Sequence, residues 1–204
     1  ARARGGGMES LLVAWAASRV LAYRFCCKWW APKEVEWQTV RVLCLGLDGA
    51  GKTLICASAC SSMDAMTEEQ PEPTVGFNTR TVKCEPHWKL QIWDIGGSAP
   101  IRQYWTKYIT GGEEGLIWVI DASDRSRFDE SREALQTLLE DSKLRGLPVL
   151  ILANKADIAD VSTVEQTESA LGVHGIDGVH VQLCSARTGQ GVQGGLTWLC
   201  TKFH

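Results

Sequence analysis

The 204-residue chain has no uninterrupted apolar run of the roughly 18–20 residues that a membrane-crossing helix needs. Leu11 to Trp30 comes nearest, but Arg19, Arg24 and Lys28 break it. On a helix, Arg24 and Lys28 fall about 140° and 180° from Arg19, so the cations form no single polar stripe. Positive charge is not in excess: 21 basic against 24 acidic residues leave a net charge of −3, so no nucleic-acid partner held by bulk electrostatics is expected. The eight cysteines and four histidines lack zinc-site spacing, and no cysteine has a histidine partner by motif, which excludes a cysteine-nucleophile enzyme. There is no internal repeat, and no low-complexity stretch beyond Gly5-Gly6-Gly7. Apolar residues at 45% and charged residues at 22% are those of an ordinary globular domain, long enough to bury its own core.

What is present is unevenly distributed. Residues 1–30 carry Arg2, Arg4, Arg19, Arg24 and Lys28 against the single acid Glu9, so the rest of the chain is net acidic. This predicts an apolar, basic arm over residues 1–36, beginning with a helix, ahead of a globular body over 37–204. Leu11, Trp15, Phe25, Trp29 and Trp30 would seek lipid or a protein groove, giving peripheral membrane contact through residues 10–30. The expected location is the cytoplasm, at a membrane surface. The arginine-rich, acid-poor start also fits the remnant of a transit peptide, which makes the mitochondrion the alternative. If Met8 is the start, Glu9 follows it, and the Met-Gly signature of N-myristoylation is absent. Cys26 and Cys27 are then the candidates for palmitate. The remaining cysteines read as thiols in a reducing compartment, with Cys44, Cys84 and Cys184 in or beside apolar runs and Cys56 and Cys60 one helical turn apart.

From Trp37 onward, strand and helix signals alternate. Thr39–Leu45 is an apolar run rich in β-branched residues, ending at Gly46. Leu116–Ile120 and Pro148–Leu152 are short continuous apolar runs of the buried, parallel-strand type, and Val179–Cys184 is another strand. Phe128–Leu144 and Val192–Phe203 read as helices. Thr79–Lys83 and Lys89–Trp93 flank Glu85-Pro86-His87, a hairpin turn. The order predicts an α/β, doubly wound, mostly parallel six-stranded sheet with flanking helices and one antiparallel edge strand.

Chemistry begins at Gly46-Leu-Asp-Gly-Ala-Gly-Lys-Thr53, which fits the phosphate-cradling G-x-x-x-x-G-K-[ST] pattern between a strand and a helix starting near Leu54. Backbone amides from Asp48, Gly49, Ala50 and Gly51 would close on the phosphates at a helix N-terminus. Lys52 would reach the β/γ-phosphates, and Thr53 would ligate Mg²⁺. Leu90-Gln-Ile-Trp-Asp94 is a strand ending in an acid, placed to support the metal from its second shell, and the amide of Gly97 would face the γ-phosphate. Asn154-Lys155-Ala156-Asp157 follows a strand. Its aspartate can accept from both N1–H and the 2-amino group of guanine, a pair that adenine lacks. Cys184-Ser185-Ala186 follows another strand and would offer a backbone amide to guanine O6. GTP or GDP is therefore the expected ligand.

Over roughly residues 37–203 the sequence resembles the Arf and Arf-like small GTPases. The resemblance is carried by Gly46–Thr53, Pro73-Thr-Val-Gly-Phe-Asn78, Trp93-Asp-Ile-Gly-Gly97 and Asn154–Asp157. It implies that Thr74 is the switch threonine that binds Mg²⁺ and senses the γ-phosphate. It also implies that Phe77, Trp93 and Tyr108 form the aromatic triad facing effectors, in a protein served by exchange factors and GTPase-activating proteins. Without the family, Phe77 and Trp93 would read as core aromatics.

One departure bears on catalysis. Where the family usually has a water-orienting glutamine, this chain has Ser98, next to Gly97. Serine is too short to hold the water as glutamine does, so slow or absent intrinsic hydrolysis is expected. Two readings follow: a membrane-associated molecular switch, or a nucleotide-binding structural subunit of a larger membrane-associated assembly.

Overall fold

The computed structural model describes residues 36–60 and 72–203. The apolar arm, with Cys26 and Cys27, therefore lies outside the described residues except for Glu36. Among the described residues, no helix is long and apolar enough to cross a membrane.

Six strands form one sheet: β1 (Gln38–Leu45), β2 (Phe77–Cys84), β3 (Trp88–Ile95), β4 (Gly115–Asp121), β5 (Val149–Asn154) and β6 (Val179–Leu183). Their spatial order is β2-β3-β1-β4-β5-β6. Only β2 runs antiparallel, paired to β3 through the expected hairpin; the other pairings are parallel. Chain order reverses on either side of β1, so a crevice opens at its C-terminal end, where ligands of doubly wound sheets sit.

The helices are α1 (Lys52–Ala59), the short α2 (Ala99–Arg102) and α3 (Trp105–Tyr108), α4 (Phe128–Leu139), α5 (Val164–Leu171) and α6 (Val192–Cys200). They cover both faces of the sheet. Alternate residues of β1 explain how: Val40, Val42 and Cys44 pack with Ile55, Leu196 and Leu199 on one side. Leu43 and Leu45 pack with Trp105, Trp118 and Leu135 on the other. Strands buried on both faces read as unbroken apolar runs, which is why β4 and β5 were visible in the sequence.

Helix ends differ from the sequence expectation. α4 stops at Leu139 because Asp141 turns the chain, its carboxylate accepting from the Lys143 amide and its carbonyl from the Leu144 amide. Leu144 is still buried, as its apolar character required. α6 ends at Cys200, where the Thr201 amide is shared between the Thr197 and Trp198 carbonyls and the last turn tightens.

Candidate nucleotide-binding site

The loop from Gly46 to Gly51 carries β1 into α1. Gly51 caps α1 with φ 91°, a left-handed conformation, and a Cβ there would collide with the Asn154 side-chain amide. The first turn of α1 holds no acidic residue, so its dipole faces the crevice uncompensated. Lys52 is 6% exposed, and its Nζ donates to the carbonyls of Gly46 (2.9 Å) and Leu47 (2.8 Å). Burial lowers its pKa against the pull of Asp94 and Asp48.

Three oxygen-bearing side chains converge behind this lysine. Thr53 Oγ1 donates to Asp94 Oδ2 at 2.7 Å and lies 2.9 Å from Thr74 Oγ1. Asp94 is fully buried, and its Oδ1 has no hydrogen-bond partner. Burial pushes its carboxyl up, against the Thr53 hydrogen bond and the Lys52 charge. Two hydroxyls and an orphaned carboxylate oxygen are a hard, all-oxygen donor set of the kind Mg²⁺ takes. Thr53, Thr74 and Asp94, expected as a group, are thus brought together.

Gly97 lies against the loop so closely that a Cβ would meet the Gly46 carbonyl and Lys52 Nζ. Ser98 caps α2 with its backbone: its carbonyl accepts from the amides of Ile101 (2.8 Å) and Arg102 (3.0 Å), while its hydroxyl makes no capping bond. Asp48 points outward and is paired by Arg127 (2.9 Å), whose hydrogen bond holds the carboxyl below its usual range. Arg102 approaches Asp48 at 3.9 Å, and both arginines bind Glu130. This cluster joins the loop to α2 and α4. The sequence reading did not contain it.

At the other end of the crevice, Asn154 links three segments. Its Nδ2 donates to the Ala50 carbonyl (2.8 Å), and its Oδ1 accepts from the Ala186 amide (2.9 Å). Asp157 Oδ1 accepts from Ser185 Oγ (2.6 Å), which also accepts from the Thr188 amide (3.2 Å). The Ser185 amide donates to the Gln190 carbonyl (2.9 Å). The Ser185 and Ala186 amides, either of which could have supplied the backbone amide expected to face guanine O6, are therefore both taken up within the protein. Lys155, held at φ 69°, forms a short ion pair with Asp121. Burial raises the Asp121 carboxyl, but hydrogen bonds from Lys155 and Ser123 outweigh it and leave the pKa lowered. Asp121 was also missed, although an acid closing the apolar run of β4 is the same signal that Asp94 gives on β3.

The three aromatics meet on the surface. Phe77 stacks on Trp93 with centroids 4.9 Å apart and meets Tyr108 edge-on at 5.6 Å. The Arg41 guanidinium lies over the Trp93 ring, 3.9 Å from its centroid. Phe77 is 45% exposed, so the core reading of that residue does not hold.

A glycine cradle, a buried lysine, a hydroxyl–carboxylate cluster and an Asn-Lys-x-Asp loop share one crevice at the ends of parallel strands. That arrangement is the P-loop small GTPase fold. The ADP-ribosylation factor family model matches residues 31–203. The chain is 40% identical over 171 residues to ADP-ribosylation factor-like protein 3 of Caenorhabditis elegans, covering 83% of this chain and 90% of that protein. The solved Arl6 BBS3 small GTPase from Trypanosoma brucei, with the nucleotide analogue GppNp bound, superposes with a TM-score of 0.71 at 25% identity, covering 80% of this chain and 96% of that one. The chain belongs to the ADP-ribosylation factor family, as an Arf-like small GTPase, and nucleotide binding follows from that membership.

Proposed function

We propose that the protein is a Mg²⁺-dependent GTP/GDP switch at a membrane surface, with slow or absent intrinsic hydrolysis. The carrying observation is the Thr53 hydroxyl held between Thr74 Oγ1 and Asp94 Oδ2, with Asp94 Oδ1 left without a partner. Mg²⁺ at Thr53 and Thr74 would offset phosphate charge, with Asp94 orienting Thr53 from behind. Lys52 and the loop amides bind the phosphates, and Asp157 selects guanine. Thr74 and Gly97 sit where a γ-phosphate is sensed, and the Phe77–Trp93–Tyr108 surface is where effectors read the outcome. The GppNp bound to the trypanosome relative supports the triphosphate end of this reading. The arm would supply membrane contact through residues 10–30, while exchange factors and a GTPase-activating protein would act on the switches.

The alternative role, a nucleotide-fixed structural subunit of a larger assembly, mitochondrial in one version, is favoured by Ser98. Its side chain neither caps α2 nor has the length to orient a water. Nucleotide recovered from the native protein tests both. A switch yields GTP or GDP that EDTA releases within minutes. A structural subunit retains its nucleotide through EDTA. Recovery of adenine nucleotide overturns both.

A further inference from the structure

The charge cluster beside the phosphate loop ties the loop and α2 to one residue of α4. Arg127, which precedes α4, forks between two elements. Its Nη1 donates to the Asp48 carbonyl and its Nη2 to Asp48 Oδ1, each at 2.9 Å, while Nε donates to Glu130 Oε2 at 2.9 Å. Arg102, the last residue of α2, donates from Nη2 to Glu130 Oε1 at 2.7 Å and lies 3.9 Å from Asp48 Oδ1. Glu130, in the first turn of α4, therefore gives one oxygen to the arginine that holds the loop and the other to the arginine that holds α2. Hydrogen bonds from Arg127 and then Arg102 hold its carboxyl below the usual range.

The tie matters more to α2 than to the loop. α2 is four residues long, too short to persist as a helix by itself, and Arg102 is its only charged residue. Its other anchors are the Ser98 carbonyl at its start and Ile101, partly buried against the core. Arg102 Nε is buried without a partner, so the guanidinium gives up water to make its Glu130 and Asp48 contacts. A lone exposed ion pair would count for little, but two arginines sharing two carboxylates fix a geometry. Immediately before α2, Gly97 sits against the Gly46 carbonyl and Lys52 Nζ, while Thr74 Oγ1 lies 2.9 Å from Thr53 Oγ1. Both segments that would meet a γ-phosphate are thus drawn onto the loop in the same structure that closes the arginine–carboxylate ring.

We propose that Arg102 is a positioning residue for nucleotide discrimination: by binding Glu130 it clamps α2 to α4 and holds Gly97 where a γ-phosphate is met. This rests on the reading of the crevice as a GTP/GDP site. A diphosphate has no group to place at Gly97, so its binding does not depend on the clamp, whereas a triphosphate binds the clamped arrangement. Contacts made in only one arrangement act on the ligand that needs it, and they raise its affinity relative to the ligand that does not. Arg127 serves the other side of the ring, fixing the loop at Asp48 for either nucleotide.

The test is the ratio of GppNp to GDP affinity of the full-length protein, read by competition against a fluorescent GDP in the presence of Mg²⁺. Arg102→Ala should lower GppNp affinity relative to GDP by about ten-fold, with GDP affinity itself changed by less than about two-fold. Glu130→Gln should move the ratio in the same direction, and the double variant should be no worse than Glu130→Gln alone. Arg102→Lys should recover part of the ratio, since an ammonium still pairs with Glu130 but cannot fork. If Arg102→Ala does not fold, Arg102→Lys and Glu130→Gln are judged by the same ratio. Equal losses for the two nucleotides would show that Arg102 serves only the fold and would overturn the proposal, as would additive losses in the double variant. Wild-type protein that binds neither nucleotide would fell the reading of the crevice itself, and the clamp with it.

Discussion

The two ends of the crevice are held by opposite electrostatic arrangements. At the phosphate end, burial works against the charges: Lys52 is lowered and Asp94 is raised. At the base end, Asp121 is lowered once Lys155 and Ser123 bind it, and Asn154, Ser185 and Asp157 already bond to protein partners. The base end is built as a self-sufficient frame. The phosphate end is left at a cost that an anionic ligand and its metal relieve, so differential affinity between nucleotide states should be decided there.

The comparison breaks first at Lys52. Lys52→Ala removes a buried cation that would make two charge-assisted hydrogen bonds, each worth roughly 1.5–3 kcal/mol. Triphosphate affinity should fall by at least about 100-fold in titration calorimetry. A fall of only a few-fold would mean that the loop amides carry the phosphates alone. At the base end, Asp157→Asn exchanges a double acceptor for a mixed donor and acceptor, and GTP affinity should drop about ten-fold or more. Unchanged GTP binding would sink the guanine assignment.

Ser98→Gln restores a side chain long enough to orient water. Single-turnover GTP hydrolysis should rise about ten-fold, or roughly 1.4 kcal/mol of barrier. No rise, even with an arginine-finger activating domain added, would favour the structural subunit.

The smallest effects test the contrast in the nucleotide-free protein. Asp94 has a raised pKa, so its ionised form opposes folding, and Asp94→Asn should leave the Tm unchanged or higher. Asp121 has a lowered pKa, so Asp121→Asn should lower the Tm, by about 1 kcal/mol of stability. The contribution of Asp121 is fully present above its unfolded pKa of about 4 and is lost as pH falls through the folded value. Thermal melts of both variants at pH 7 and near pH 3 check the sign. In the Asp121 case the gap between variant and wild type should narrow as the pH is lowered.

The sheet and the two contiguous ligand motifs were legible because each is local. Gly46–Thr53 and Asn154–Asp157 carry their chemistry within a few residues of a recognisable apolar strand. The hairpin was legible because Pro86 interrupts two alternating segments. Thr74 needed the family resemblance, since nothing near it in sequence announces a contact with Thr53, 21 residues away. The ion cluster over Asp48 was invisible for the same reason, with Arg127 lying 79 residues from its partner. Helix ends were misjudged where a side chain, Asp141, or a tightened last turn at Thr201 overrode the apolar period. The cysteines were read one by one as thiols, and Cys44, Cys84 and Cys184 are indeed free and buried.

Asn154 has a further consequence for how the molecule assembles. Its amide bonds to Ala50 across a sequence separation of 104 residues and accepts from Ala186 across 32. The first bond needs the loop after β1 beside β5 and the second needs the segment after β6 there as well, so the full keystone closes late along the folding route. Interactions absent from the transition state act on the unfolding rate. A bound nucleotide should accordingly slow unfolding while leaving the refolding rate nearly unchanged, making the ligand a kinetic lock on a chain that finds its topology without it.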